Sequence, residues 1–87
     1  MKEAESQLIH SFSRNQHEKI NLSLRKYKGK HYVDFRLWFQ TKTDPTYRPT
    51  TKGITFPLEL LTEFNQGMNR LLKVRDKLSF NDETGSG

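Results

Sequence analysis

The chain has 87 residues and a net charge of +5, room for one small domain whose core is thin enough that dimerisation is a common remedy. It contains no cysteine, which excludes disulfides, a thiolate nucleophile and a cysteine zinc site. No stretch approaches the ~18 apolar residues of a membrane span, and residues 1–18 hold no apolar run of the signal-peptide kind. No membrane association is expected, and the protein is expected inside the cell, in the cytoplasm and nucleoid of a bacterium or the nucleus of a eukaryote.

Residues 1–18 are polar apart from Leu8-Ile9 and Phe12. They fit an N-terminal arm, a short helix or an extra edge strand. Residues 19–27, KINLSLRKY, alternate strictly: Ile20, Leu22 and Leu24 on one side, Asn21, Ser23, Arg25 and Tyr27 on the other. Residues 30–40 alternate as well, with Val33, Phe35, Leu37 and Phe39 opposite Tyr32, Asp34, Arg36, Trp38 and Gln40. Period two predicts half-buried strands. Lys28-Gly29 between them predicts a two-residue hairpin loop. Pairing Tyr27 with Lys30 sets Leu24 against Val33, Leu22 against Phe35 and Ile20 against Leu37. The polar face then pairs Arg25 with Tyr32, Ser23 with Asp34, Asn21 with Arg36 and Lys19 with Trp38. A slip of one residue would scramble both faces.

Asp44-Pro45 predicts a turn. Tyr47-Arg48 predicts a short third strand and residues 52–56, KGITF, a fourth. From Pro57 or Leu58, apolar residues recur at helical spacing (Leu61, Phe64, Met68, Leu71, Leu72, Leu78), which predicts a helix over 58–78. Residues 79–87 read as a disordered tail. The domain, residues 19–78, is thus expected to be α+β: a curved four-stranded antiparallel sheet followed by a C-terminal helix lying on the Ile20/Leu22/Leu24 side.

The charge is concentrated. Residues 19–52 carry nine Lys and Arg against Asp34 and Asp44, a net +7, and the remainder of the chain is −2. Such asymmetry points to a polyanionic partner. An open sheet face that mixes cations with Tyr and Trp suits single-stranded nucleic acid, because phosphates need Lys or Arg and unstacked bases need flat rings. Competing readings are a protein-interaction surface docking through the same aromatics, and single-stranded RNA. The three histidines have no metal-ligand spacing, Asp34 has a ready role as a cross-strand partner, and no Gly-rich phosphate loop is present. No cofactor, no metal and no catalysis are expected. KGKHYVDF matches part of the RRM signature, but a hairpin leaves no room for the helix an RRM needs between its first two strands.

In its order of motifs the chain resembles the transcriptional coactivator p15 (positive cofactor four) family. The resemblance rests on YKGKHYVDFRLWF, then YRPTTKGITFPLELL and a terminal helix, over residues ~19–75. It implies four strands and a helix, a homodimer, single-stranded DNA across the sheets of both subunits, a role in transcription or DNA maintenance with transcription machinery as a possible partner, and no catalysis. It places the hairpin aromatic on Tyr27, flanking lysines on Lys28 and Lys30, the strand arginine on Arg36, and the later basic residues on Arg48 and Lys52. The family's stacking tryptophan aligns with Phe39, whereas alternation puts Trp38 beside Arg36. The early-strand cations fall on Lys19, with Arg25 second. Without the Ser-rich arm of eukaryotic members, a compact bacterial- or phage-type member is expected.

Overall fold

The computed structural model describes residues 4–82. Four ten-residue strands, β1 (Ala4–Ser13), β2 (Glu18–Tyr27), β3 (Lys30–Phe39) and β4 (Arg48–Pro57), form one sheet, with a 3-10 turn (Leu58–Leu60) and helix α1 (Leu61–Asp82) after it. The strands are antiparallel in the order β1-β2-β3-β4.

The β2–β3 register is the one the alternation dictates, from Tyr27 opposite Lys30 to Lys19 opposite Trp38. Both loop residues take left-handed backbone conformations, Lys28 at φ 52° and Gly29 at φ 78°. That is the demand of a type I′ turn, whose twist suits a two-residue hairpin.

The other two strands differ from the sequence expectation. The arm is the edge strand β1, which shifts register between Leu8 and His10. A bulge there breaks the phase of the side chains, so Leu8, Ile9 and Phe12 show no clean period. The separate strands expected at 47–48 and 52–56 are one strand, β4. It also shifts register, between the pairs Arg36–Gly53 and Trp38–Pro49. The Thr50 hydroxyl donates to the Leu37 carbonyl there (2.8 Å) and accepts from the Lys52 N–H (3.0 Å), so side-chain bonds stand in for ladder bonds. Pro49, which has no N–H, is tolerated because β4 is an edge.

Among the described residues, Val33, Leu37 and Phe56 are the buried apolar ones. The helix does not lie over the Ile20/Leu22/Leu24 side, contrary to expectation. Pro57 is extended (φ −62°, ψ 144°), and beyond it the helix reaches the sheet at Phe64, whose ring stacks on Phe56 at 3.8 Å. Met68 (55% exposed), Leu71 (58%) and Ile54 of β4 (50%) stay open to solvent. The helix continues past residue 78 to Asp82; the remainder of the expected tail, 83–87, and residues 1–3 lie outside the described residues.

Candidate nucleic-acid interface

Strand alternation gives the sheet two unlike sides. One carries Ile20, Leu22, Leu24, Phe35, Leu37, Ile54 and Phe56. A concavity on it is lined by Ile20, Phe35, Leu37 and Ile54 and bordered by Arg14 and Lys52. The other carries Lys19, Asn21, Ser23, Arg25 and Tyr27 from β2, and Lys30, Tyr32, Asp34, Arg36 and Trp38 from β3, facing one another row by row.

At the hairpin end of this polar side, Arg25, Tyr27, Tyr32 and Thr55 line a recess of about 250 Å³. The Lys28 ammonium lies 5.3 Å from the centre of the Tyr27 ring. At the opposite end, Trp38 stands across from Lys19 on β2 and Pro49 on β4, and the Lys19 ammonium sits 4.3 Å over the ring of Tyr47. Along β3, Tyr32 and Trp38 are six residues apart, roughly 20 Å at strand rise.

Between these ends lies an internal ion pair. Arg36 donates to both oxygens of Asp34, from Nε at 3.2 Å and Nη2 at 2.8 Å, and from Nη1 to the Thr50 carbonyl at 3.0 Å. The Thr55 hydroxyl donates to Asp34 at 2.7 Å. The Asp34 side chain is 8% exposed and that of Arg36 22%. Burial opposes ionisation of Asp34, but hydrogen bonds from Arg36 and Thr55 and the charges of Arg36 and Arg25 outweigh it, so its pKa lies below the ordinary 3.8. The hydrogen bond to Asp34 raises the pKa of Arg36 in turn. Gly53, opposite Arg36, makes the arrangement possible: a Cβ there would meet the Phe35 carbonyl oxygen at 2.5 Å and Arg36 Cζ at 3.1 Å.

Of the ten residues singled out in the sequence, Lys19, Arg25, Tyr27, Lys30, Arg36 and Trp38 share the polar side, with Lys28 in the turn beside it. Phe39 follows Trp38 in β3 and so faces the other way; it lines a recess with residues 15–18. Arg48 stands opposite Phe39 and pairs with Asp44 at 3.1 Å. Lys52 falls in the irregular stretch of β4, at the rim of the apolar concavity. Tyr32, Tyr47 and Thr55 belong to this side and were not singled out. Tyr32 was legible from its alternation with Arg36, whereas Tyr47 enters through a loop that periodicity does not place.

Among the described residues, no group of three or more His, Cys, Asp or Glu could hold a metal ion, and no helix is long and apolar enough to cross a membrane. What the fold and this side define is a sheet-and-helix protein with a polar, ring-bearing face left open. The comparisons with known proteins agree. The sequence pattern of the transcriptional coactivator p15 (PC4) family matches residues 14–67. BPSL1147, a PC4 homologue from Burkholderia pseudomallei, is similar in both of its crystal forms. The tetragonal form is 31% identical with a TM-score of 0.69, covering 77% of this chain and 97% of that one. The orthorhombic form is 33% identical with a TM-score of 0.68, over 80% and 90%. A bacteriophage T5 homologue of the eukaryotic coactivator PC4, implicated in recombination-dependent DNA replication, shares the fold at 22% identity, with a TM-score of 0.66 over 92% and 91%. Among curated proteins no sequence matches significantly. The chain belongs to the transcriptional coactivator p15 (PC4) family, whose members are DNA-binding coactivators.

Proposed function

We propose that the protein binds single-stranded DNA on its polar side, with little sequence preference, as a homodimer serving transcription regulation or DNA maintenance inside the cell. It acts by binding and not by catalysis, and in a transcriptional role its partners include the transcription machinery. The observation that supports this most is the placement of exposed or half-exposed rings at both ends of one sheet face, with lysines beside them. Duplex DNA hides its ring faces and would leave such rings unused; unpaired bases stack on them for about 1–3 kcal/mol each. The homodimer reading rests on the apolar residues of the helix and on Ile54 of β4, which one chain leaves open to solvent.

The cations count toward phosphate binding only where no acid already holds them. Arg36 and Arg48 are paired with Asp34 and Asp44. Lys19, Arg25, Lys28 and Lys30, on the polar side or in the turn beside it, are the better phosphate partners. Four contacts per subunit correspond to a slope of log K against log salt near −2.8, at about 0.7 per contact on single strands. Fluorescence-anisotropy titrations of the chain with single-stranded DNA, single-stranded RNA and duplex of equal length test the reading. It expects the DNA single strand to bind tighter than duplex, with that slope. Equal or tighter duplex binding, or binding without salt dependence, would reject it, and a preference for RNA would replace the substrate.

A further inference from the structure

We infer that Tyr47 is a further base-stacking residue, forming with Trp38 a second platform at the loop end of the polar side, where Lys19 supplies the cation for the adjoining phosphate. The inference rests on the single-stranded DNA reading above and adds to it a residue that lies outside the regular strands.

Three observations place Tyr47 there. Lys19 belongs to β2 and Tyr47 leads into β4, so β3 with its Trp38 runs between them. The approach of the Lys19 ammonium to 4.3 Å over the Tyr47 ring therefore gathers Lys19, Trp38 and Tyr47 at one end of the sheet. The segment from Gln40 to Arg48 is also laced to itself and to the neighbouring turn. The Gln40 N–H donates to the His17 carbonyl (2.9 Å) and its side-chain amide to the Pro45 carbonyl (2.7 Å). Asp44 accepts from the Thr46 N–H (3.0 Å) and from Arg48 (3.1 Å), and its own N–H donates to the Thr41 hydroxyl (3.0 Å). Tyr47 is the one aromatic residue in that segment and is half-buried. A ring already ordered by its loop loses little freedom when a base stacks on it, which is how preorganisation favours binding. Finally, a lysine held over the ring brings positive charge to the place where a stacked nucleotide carries its phosphate. With the ammonium over one ring face, the stacked base is assigned to the other.

The test uses oligo-dT and the whole chain. Tyr47→Phe keeps the ring and is expected to bind within twofold of the wild type. Tyr47→Leu is expected to bind about 5- to 150-fold more weakly, the loss of one stacked base, with an unchanged salt slope. Lys19→Gln is expected to lower the magnitude of that slope by about 0.7. Because Trp38 is the only tryptophan, the double variant Trp38→Phe/Tyr47→Trp moves the fluorescent ring to the loop, and oligo-dT is expected to quench it. Tyr47→Leu binding like the wild type, or a double variant that binds oligo-dT with no change in fluorescence, would overturn the inference while leaving the wider reading intact. Failure of the wild type to bind oligo-dT would instead overturn the wider reading and this inference with it.

Discussion

Arg36 shows how far a side chain's role depends on its neighbours. Standing in a basic strand among aromatics, it reads as a phosphate ligand; in the fold it is forked onto Asp34 and bonded to the Thr50 carbonyl. A charge already neutralised by a carboxylate releases no counterion on binding DNA, so under the proposed function Arg36 would offer its remaining hydrogen-bonding capacity to base edges rather than its charge to phosphates. The double variant Asp34→Asn/Arg36→Gln, which removes both charges and keeps hydrogen-bonding groups, is therefore expected to retain the wild-type salt slope. Lys30→Gln should lose about 0.7 of it. A loss of that size in the double variant would mean that Arg36 leaves Asp34 for a phosphate. The pair also sets an acid limit. Because the folded pKa of Asp34 is below its ordinary 3.8, its contribution to stability is complete above that value and is lost as pH falls through the lowered folded pKa. Urea midpoints measured downward from pH 5 should fall more steeply below pH 4 for the wild type than for Asp34→Asn. Parallel curves would contradict the assignment. The sequence showed Asp34 and Arg36 on one face because period two is explicit there. It did not show their bond, which depends on Thr50, Thr55 and Gly53 arriving from β4.

At the scale of elements, the β2–β3 hairpin was legible in full because pattern and turn chemistry specify it twice. Its register follows from matched apolar rows, and its loop from Lys28-Gly29. The edge strands were less legible for the same physical reason in each: an irregularity interrupts the alternation. In β1 the register shifts around Ile9, and in β4 it shifts over residues 50–52. Gly53 joins the two halves of β4 where the strand crosses Arg36. Gly53→Ala would set a Cβ 2.5 Å from the Phe35 carbonyl oxygen, backbone that cannot swing aside, so β3 and β4 must part. A loss of about 1–3 kcal/mol is expected, the usual range for overpacking, read from the urea midpoint. An unchanged midpoint would show that the strands yield freely at this crossing. The helix was predicted in place and type, but not in what it packs against: its apolar spacing says that one face seeks cover without saying from which chain.

The whole molecule is open. Its Cα radius of gyration is 16.3 Å over extents of 52 × 39 × 17 Å, against about 12 Å for a compact domain of this length. Its accessible surface is 7096 Å², where a compact monomer of 10.3 kDa would expose about 5,400 Å². An excess on the order of 1,700 Å² per chain is the scale that obligate homodimers bury, and the exposed large apolar residues include Phe64, Met68, Leu71, Leu72 and Leu78 of the helix and Ile54 of β4. Met68→Glu is expected to shift the protein from dimer to monomer by light scattering at micromolar concentration, since Met68 is exposed within its own chain and the charge would meet apolar groups only across an interface. An unchanged mass would place the dimer contact elsewhere or remove it. The proposed division of labour, one side of the sheet for a second copy and the other for DNA, is tested most directly by mapping where a single strand lands. In a ¹⁵N-labelled sample titrated with oligo-dT, the Trp38 indole N–H and the amides of Tyr27, Tyr32 and Trp38 should shift, while those of Met68, Leu71 and Leu72 stay in place. Shifts gathered on the helix, with the Trp38 indole unmoved, would contradict it.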